Sequence, residues 1–85
     1  MIRHLDRTEA LALVKEAITE IVPDADFIGI GPDDKFRDAL ELDSLDFLSL
    51  VEILSERTGV RIAEDDYPDF DTLADAARFL AARTG

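Results

Sequence analysis

The sequence holds no cysteine. This excludes a disulfide-stapled fold, a thiol nucleophile and a Cys-based zinc site, and is compatible with a reducing cytoplasm. Its one histidine, His4, lies near an N-terminus expected to fray. A serine hydrolase would have to recruit that residue as its base, so nucleophilic catalysis is not expected. No Gly-x-Ser-x-Gly elbow is present, and Gly29-Ile30-Gly31 lacks the further glycines and the Lys-Ser/Thr of a phosphate-cradling loop. Asp24/Asp26 and Asp33/Asp34 do not follow the spacing of an EF-hand, so no metal is expected. No stretch approaches the roughly 18 apolar residues of a membrane helix, and Met1 to Glu9 lacks the apolar run of a signal peptide. The expectation is a soluble, cytoplasmic protein without a membrane partner.

Basic residues are also scarce. Nine Lys and Arg face twenty Asp and Glu, for a net charge of −11 and a pI near 4.2. Nucleic acid and anionic lipid would repel such a chain, and a basic patch with interleaved aromatics is missing. Basic protein surfaces would attract it, and like charge disfavours self-association, so a monomer is expected. The charge is concentrated: Asp33 to Asp66 holds eleven acids and four bases, −7 of the total. Disorder is excluded by a 47% hydrophobic content with clear periodicity. The 85 residues are expected to form one complete, free-standing domain.

The periodicity is helical. Asp6 and Glu9 have capping-box spacing, and Leu11, Val14, Ile18 and Ile21 form a stripe that runs to a stop at Pro23. From Pro23 to about Leu42, Gly29, Gly31 and Pro32 preclude a long element. Phe27, Ile28, Ile30, Phe36 and Leu40 are apolar enough that this loop should fold onto the helices. A second helix spans about Ser44 to Thr58 on Phe47, Leu50, Val51 and Leu54, with Gly59 to end it. Val60-Arg61-Ile62 reads as an extended connector. Glu64 to Phe70 reads as one helical turn or a loop anchored by Tyr67 and Phe70. A last helix runs from Thr72 to Arg83 on Leu73, Ala76, Ala77 and Leu80, with Thr72 and Asp75 as a capping pair. The fold class is therefore all-α: a four-helix bundle of three main helices and a short one, with a long loop between the first and second.

Asp43-Ser44-Leu45 stands where the polar loop gives way to the apolar run of the second helix. Either Asp43 or Ser44 could serve simply as N-cap. A second reading gives the hydroxyl a role, because unsatisfied N–H groups and the positive helix end favour a phosphate at such a position. Placed on a helical wheel, Ser44 has Leu48 and Ser55 near its side, flanked by Leu45, Val51 and Glu52. That face is either a partner-docking surface of apolar and acidic positions or core overflow with solvating acids. Phe47, Leu50, Leu54, Ile62 and Phe70 read as core.

This arrangement resembles the acyl carrier proteins. The resemblance rests on Phe36 and Leu40, then Leu42-Asp43-Ser44-Leu45-Asp46, then Leu50, Val51 and Leu54. Gly59-Val60-Arg61-Ile62, Glu64-Asp65-Asp66, Phe70 and Thr72-Leu73 follow in the same order. It implies an acyl-carrier-like bundle in which Ser44 carries a covalent 4′-phosphopantetheine arm, installed by a phosphopantetheinyl transferase. It further implies a carrier rather than an enzyme, serving fatty-acid, polyketide or specialised acyl pathways. The partners implied are acyl-transferring or acyl-modifying enzymes with basic docking surfaces, met by Asp43, Leu45, Leu48, Glu52 and Glu56. The chain departs from the family pattern at Glu41, where a glycine is common, and at Ala63, where proline is frequent. Glu52 replaces an often apolar residue, and the larger Phe47 is expected to restrict any shelter for an acyl chain between the helices. The Gly-Gly-x-Ser form typical of peptidyl carriers is absent. Carriage of aminoacyl or other activated acids, and an unmodified acidic helical adaptor with the same fold, stand as alternatives.

Overall fold

The computed structural model describes residues 4–84. Its elements are α1 (Arg7–Ile21), α2 (Phe36–Ala39), α3 (Ser44–Thr58), a 3-10 helix (Glu64–Phe70) and α4 (Leu73–Arg83). Among the described residues there is no strand, only an isolated bridge between Lys35 and Thr72.

Each long helix starts as its sequence dictates. Asp6 caps α1, accepting from the Glu9 N–H at 2.8 Å while Glu9 reaches back to the Asp6 N–H at 3.4 Å. Asp43 caps α3 in the same reciprocal way with Asp46, and the Thr72 hydroxyl accepts from the Asp75 N–H to start α4. Such a cap contributes about 1 kcal/mol by satisfying a donor that has no partner within the helix. Gly59 ends α3 with φ of 72°, a left-handed turn that glycine enters without steric penalty.

α1 packs against both α3 and α4. Its buried face is Ala10, Val14, Ala17 and Ile18, and that of α4 includes Ala76 and Ala77, so small residues line both sides. Leu11 and Ile21 of the expected stripe are only half-buried. Leu50, Leu54, Phe70, Leu73 and Leu80 are sealed from solvent, and Phe70 leans on Phe79 with ring centroids 4.9 Å apart. Ile62 packs partly buried against this core.

Several expectations are corrected. The loop after Pro23 contains a helix, α2, around the fully buried Phe36. Phe27, Ile30 and Leu40 pack against the core as expected, but Ile28 is 96% exposed. The Ile30 N–H donates to the Phe27 carbonyl and the Ile28 N–H to Asp26, so Ile28 occupies a turn tip facing solvent. The loop is strapped down by the Ala74 N–H donating to the Pro32 carbonyl at 2.9 Å. His4 is not frayed: its Nδ1 donates to the Thr84 carbonyl at 2.9 Å. Beside it the Leu5 N–H donates to the buried Thr84 hydroxyl, clasping the two ends of the described chain.

The link from α2 to α3 is a Schellman turn. The Leu42 N–H donates to the Arg37 carbonyl at 2.9 Å and the Glu41 N–H to the Asp38 carbonyl at 3.3 Å. The geometry requires a left-handed residue, and Glu41 takes it with φ of 55°, the only non-glycine among the described residues to do so. A side chain there costs about 1 kcal/mol relative to glycine. Glu41→Gly is expected to stabilise the protein by about 1 kcal/mol, raising Tm by roughly 4–8 °C. Glu41→Gln removes the charge but keeps the strain, and should move stability by less than about 0.5 kcal/mol. Thermal denaturation followed by circular dichroism checks both.

Candidate functional site

The Schellman turn fixes where α3 begins. Leu42 is 7% exposed and anchors the chain on the core, and Asp43 leaves it in extended conformation, φ −83° and ψ −176°. Ser44 is the first residue of α3 and is exposed. Among the described residues no hydrogen bond holds its hydroxyl.

Of the two capping readings, the structure selects Asp43. Its Oδ1 accepts from the Asp46 N–H at 2.8 Å, and Asp46 Oδ2 meets the Asp43 N–H at 3.5 Å. The Phe47 N–H donates to the Asp43 carbonyl as the first helical bond. The cap thus satisfies one early donor and leaves the N–H groups of Ser44 and Leu45 directed out of the helix end, where the dipole favours an anion. Ser44, relieved of capping, presents a free hydroxyl at that end. A phosphodiester on this oxygen would meet those donors without displacing any core group, so the residues fit such a group.

Below Ser44 runs one exposed line along α3. Leu45 is 73% and Leu48 41% exposed, and Glu52 and Glu56 are also exposed. Their spacing of three, four and four residues puts them on one face of a 3.6-residue helix. Asp43 is exposed at its head. The residues expected to meet a partner therefore share a surface. Two residues placed near that face do not join it: Val51 is buried, and half-buried Ser55 donates its hydroxyl to the Val60 carbonyl at 2.8 Å. The exposed face is thus narrower than the wheel suggests, because α3 packs with Val51 inward.

A groove of about 290 Å³ opens beside Ser44, lined also by Arg37, Phe47, Leu48, Glu64 and Tyr67. Phe47 is 3% exposed and meets Tyr67 edge-on with centroids 5.2 Å apart, so aromatic rings fill the space between α3 and the 3-10 helix. Arg37 lies over the Phe47 ring, its guanidinium carbon 4.2 Å from the centroid. Sequence reasoning missed Arg37 and gave Tyr67 no role beyond an anchor. The available signal was Phe36 and Leu40 at i, i+4, which marks the segment holding Arg37 as helical. No group of three potential metal ligands occurs among the described residues.

A family profile described as "Phosphopantetheine attachment site" matches residues 9–80. The chain is 33% identical over 82 residues to an acyl carrier protein of Acidothermus cellulolyticus, with 94% of each chain covered. It is 35% identical over 75 residues to an acyl carrier protein of Solidesulfovibrio magneticus, covering 85% of this chain and 96% of that one. An acyl carrier protein of Borreliella burgdorferi is 31% identical over 81 residues, covering 95% and 100%.

The geometry separates structural and chemical roles at adjacent residues. Asp43→Ala is expected to cost about 1 kcal/mol through loss of the cap. Ser44→Ala should leave stability within about 0.5 kcal/mol, since an exposed hydroxyl without a partner holds nothing. Urea unfolding of the two variants against wild type measures the contrast.

Proposed function

The chain belongs to the acyl carrier proteins, and from that premise we propose that Ser44 is the residue bearing its 4′-phosphopantetheine. The single observation that carries this reading is an exposed, unpartnered hydroxyl at the capped start of α3. Once bound, the arm supplies a thiol on which an acyl group is held as a thioester. A carrier of this kind is not itself an enzyme, and the bond-making belongs to its partners.

In the loading step a phosphopantetheinyl transferase joins Ser44 Oγ to the phosphorus that bears the pantetheine of coenzyme A. The Oγ–P bond forms, the diphosphate P–O bond breaks, 3′,5′-ADP leaves and the hydroxyl proton passes to the transferase. This chain's own part is to hold Oγ outward and to align donors at the helix end with the phosphate. Ser44→Ala has nothing to modify.

The partners we assign are the transferase and acyl-handling enzymes with basic docking surfaces. Leu45 and Leu48 offer apolar contact, while Asp43, Glu52 and Glu56 supply charge that steers association more than it adds affinity. Phe47, closed against Tyr67, favours cargo carried outside the core. With Glu41, Glu52 and Ala63, it supports a specialised acyl pathway, polyketide assembly among them, over housekeeping fatty-acid synthesis. No helix of the described residues is long and apolar enough to cross a membrane.

Intact mass after incubation with a transferase and coenzyme A is expected to rise by one phosphopantetheine in wild type and not at all in Ser44→Ala. An unchanged wild-type mass would mean an unmodified adaptor instead. Reversing charge at Glu52→Lys together with Glu56→Lys should lower the loading rate about tenfold at low salt, with the gap closing at high salt.

A further inference from the structure

Arg37 is distinguished by its setting rather than by its charge: it is a half-buried cation stacked on a core ring. Arg57 pairs with Glu20, Arg78 with Asp75 at 3.2 Å and Arg83 with Asp66 at 3.6 Å. Arg37 has no carboxylate within ion-pair distance among the described residues, although Glu64 lines the same groove. It is half-buried and laid across the Phe47 ring. Its backbone is fixed as well, because its carbonyl receives the Leu42 N–H that closes the turn into α3. The result is a cation held in place by stacking and by a turn, on the wall of the groove whose rim is Ser44.

The geometry points to this groove as the seat of the near end of the arm, with Arg37 as the counter-ion of its phosphodiester. The inference rests on the assignment of Ser44 above. Three features support it. The first charged atom group of anything attached to Ser44 in this way is a phosphate. Guanidinium is well suited to phosphate, presenting planar paired donors and stacking on aromatics with little further loss of freedom. Tethering supplies the local concentration that a free anion, repelled by the surrounding carboxylates, would not reach. Beyond Arg37 the groove offers Leu48 and the Phe47–Tyr67 pair as an apolar wall. A second groove of about 460 Å³ shares Arg37, Glu64 and Tyr67 and leads on past Phe70 and Asp71. Arg37 therefore stands between the attachment point and a longer surface track, placed to hold the arm near its root.

The test compares apo and loaded protein by NMR, with loading confirmed by intact mass. The Arg37 Nε–Hε cross-peak is expected to shift on loading by more than its linewidth. The phosphodiester ³¹P resonance should move in loaded Arg37→Gln and partly return in Arg37→Lys. Arg61→Gln, the same charge change at an exposed arginine outside both grooves, should leave it in place. An Arg37 cross-peak that is identical in the two forms overturns the inference, as does a ³¹P shift that responds equally to Arg37→Gln and Arg61→Gln. If Arg37→Gln fails to fold by circular dichroism, the wild-type comparison decides, with the cross-peak assigned through Arg37→Lys. A mass that does not rise removes the Ser44 assignment and this inference with it. A normal mass gain with silent Arg37 removes this inference alone.

Discussion

Everything about the site depends on how the chain reverses between Leu40 and Asp43. Phe36 before the reversal and Leu42 after it are both buried, so the two ends of the turn are pinned to one core. Two backbone bonds close it, and only a left-handed residue at Glu41 lets them form. Once Leu42 is inward and Asp43 extended, the rotational setting of α3 follows. Leu50 and Leu54 point in and Ser44 points out. Starting the helix one residue earlier or later would turn its faces by about 100°. Ser44 would then approach the core and Phe47 would lose its place against Tyr67. The strain held at Glu41 is thus stored at the joint that aims the hydroxyl, which is where strain is commonly tolerated.

Charge plays a different part from packing. The ion pairs at Arg57, Arg78 and Arg83 are between partly exposed side chains, and pairs of this kind contribute little. Twenty acids in 85 residues repel one another, so the acidic surface opposes compactness rather than supporting it. Stability rests on the alanine-lined contact of α1 with α4, on the Phe70–Phe79 pair and on three well-formed caps. An acidic surface of this extent finds no explanation in stability, and the steering role proposed for it above would supply one. The exposed Leu45 and Leu48, set among acids on one line of α3, agree with that.

The long helices, their caps and the position of Ser44 were legible in the sequence because they depend on local patterns. Asp6 with Glu9, Thr72 with Asp75 and the stripe through Leu50 and Leu54 each act within a few residues. What was not legible depended on contacts distant in sequence. Phe36 forms a short helix because the core accepts its ring, and four residues of α2 carry too little periodicity to announce it. His4 is held by Thr84, eighty residues away. Ile28 faces solvent because a tight turn at Asp26 to Ile30 overrides its hydropathy. Val51 was legible as core from its stripe with Phe47, Leu50 and Leu54 and is buried, although the wheel also sets it beside Ser44. At the site the same division holds: the hydroxyl and its cap were readable, whereas Arg37 and Tyr67 reach it only through the fold.

Leu48 connects the two surfaces around Ser44. It lines the groove with Arg37 and Tyr67, and it belongs to the exposed line with Leu45 and Glu52. Apolar area can be removed from water only once, so whatever covers Leu48 competes with anything else that would. If the arm rests in the groove, a partner that presses on Leu48 takes over part of its wall and weakens the seat. Arg37 would keep its charge-assisted contact with the phosphate, because stacking on Phe47 positions it without help from Leu48. The root of the arm would then stay oriented while its length is released toward the docked surface. A carrier needs this combination, since cargo must be loosened without losing the geometry of the attachment point, and a single leucine shared by the groove and the exposed line would supply it.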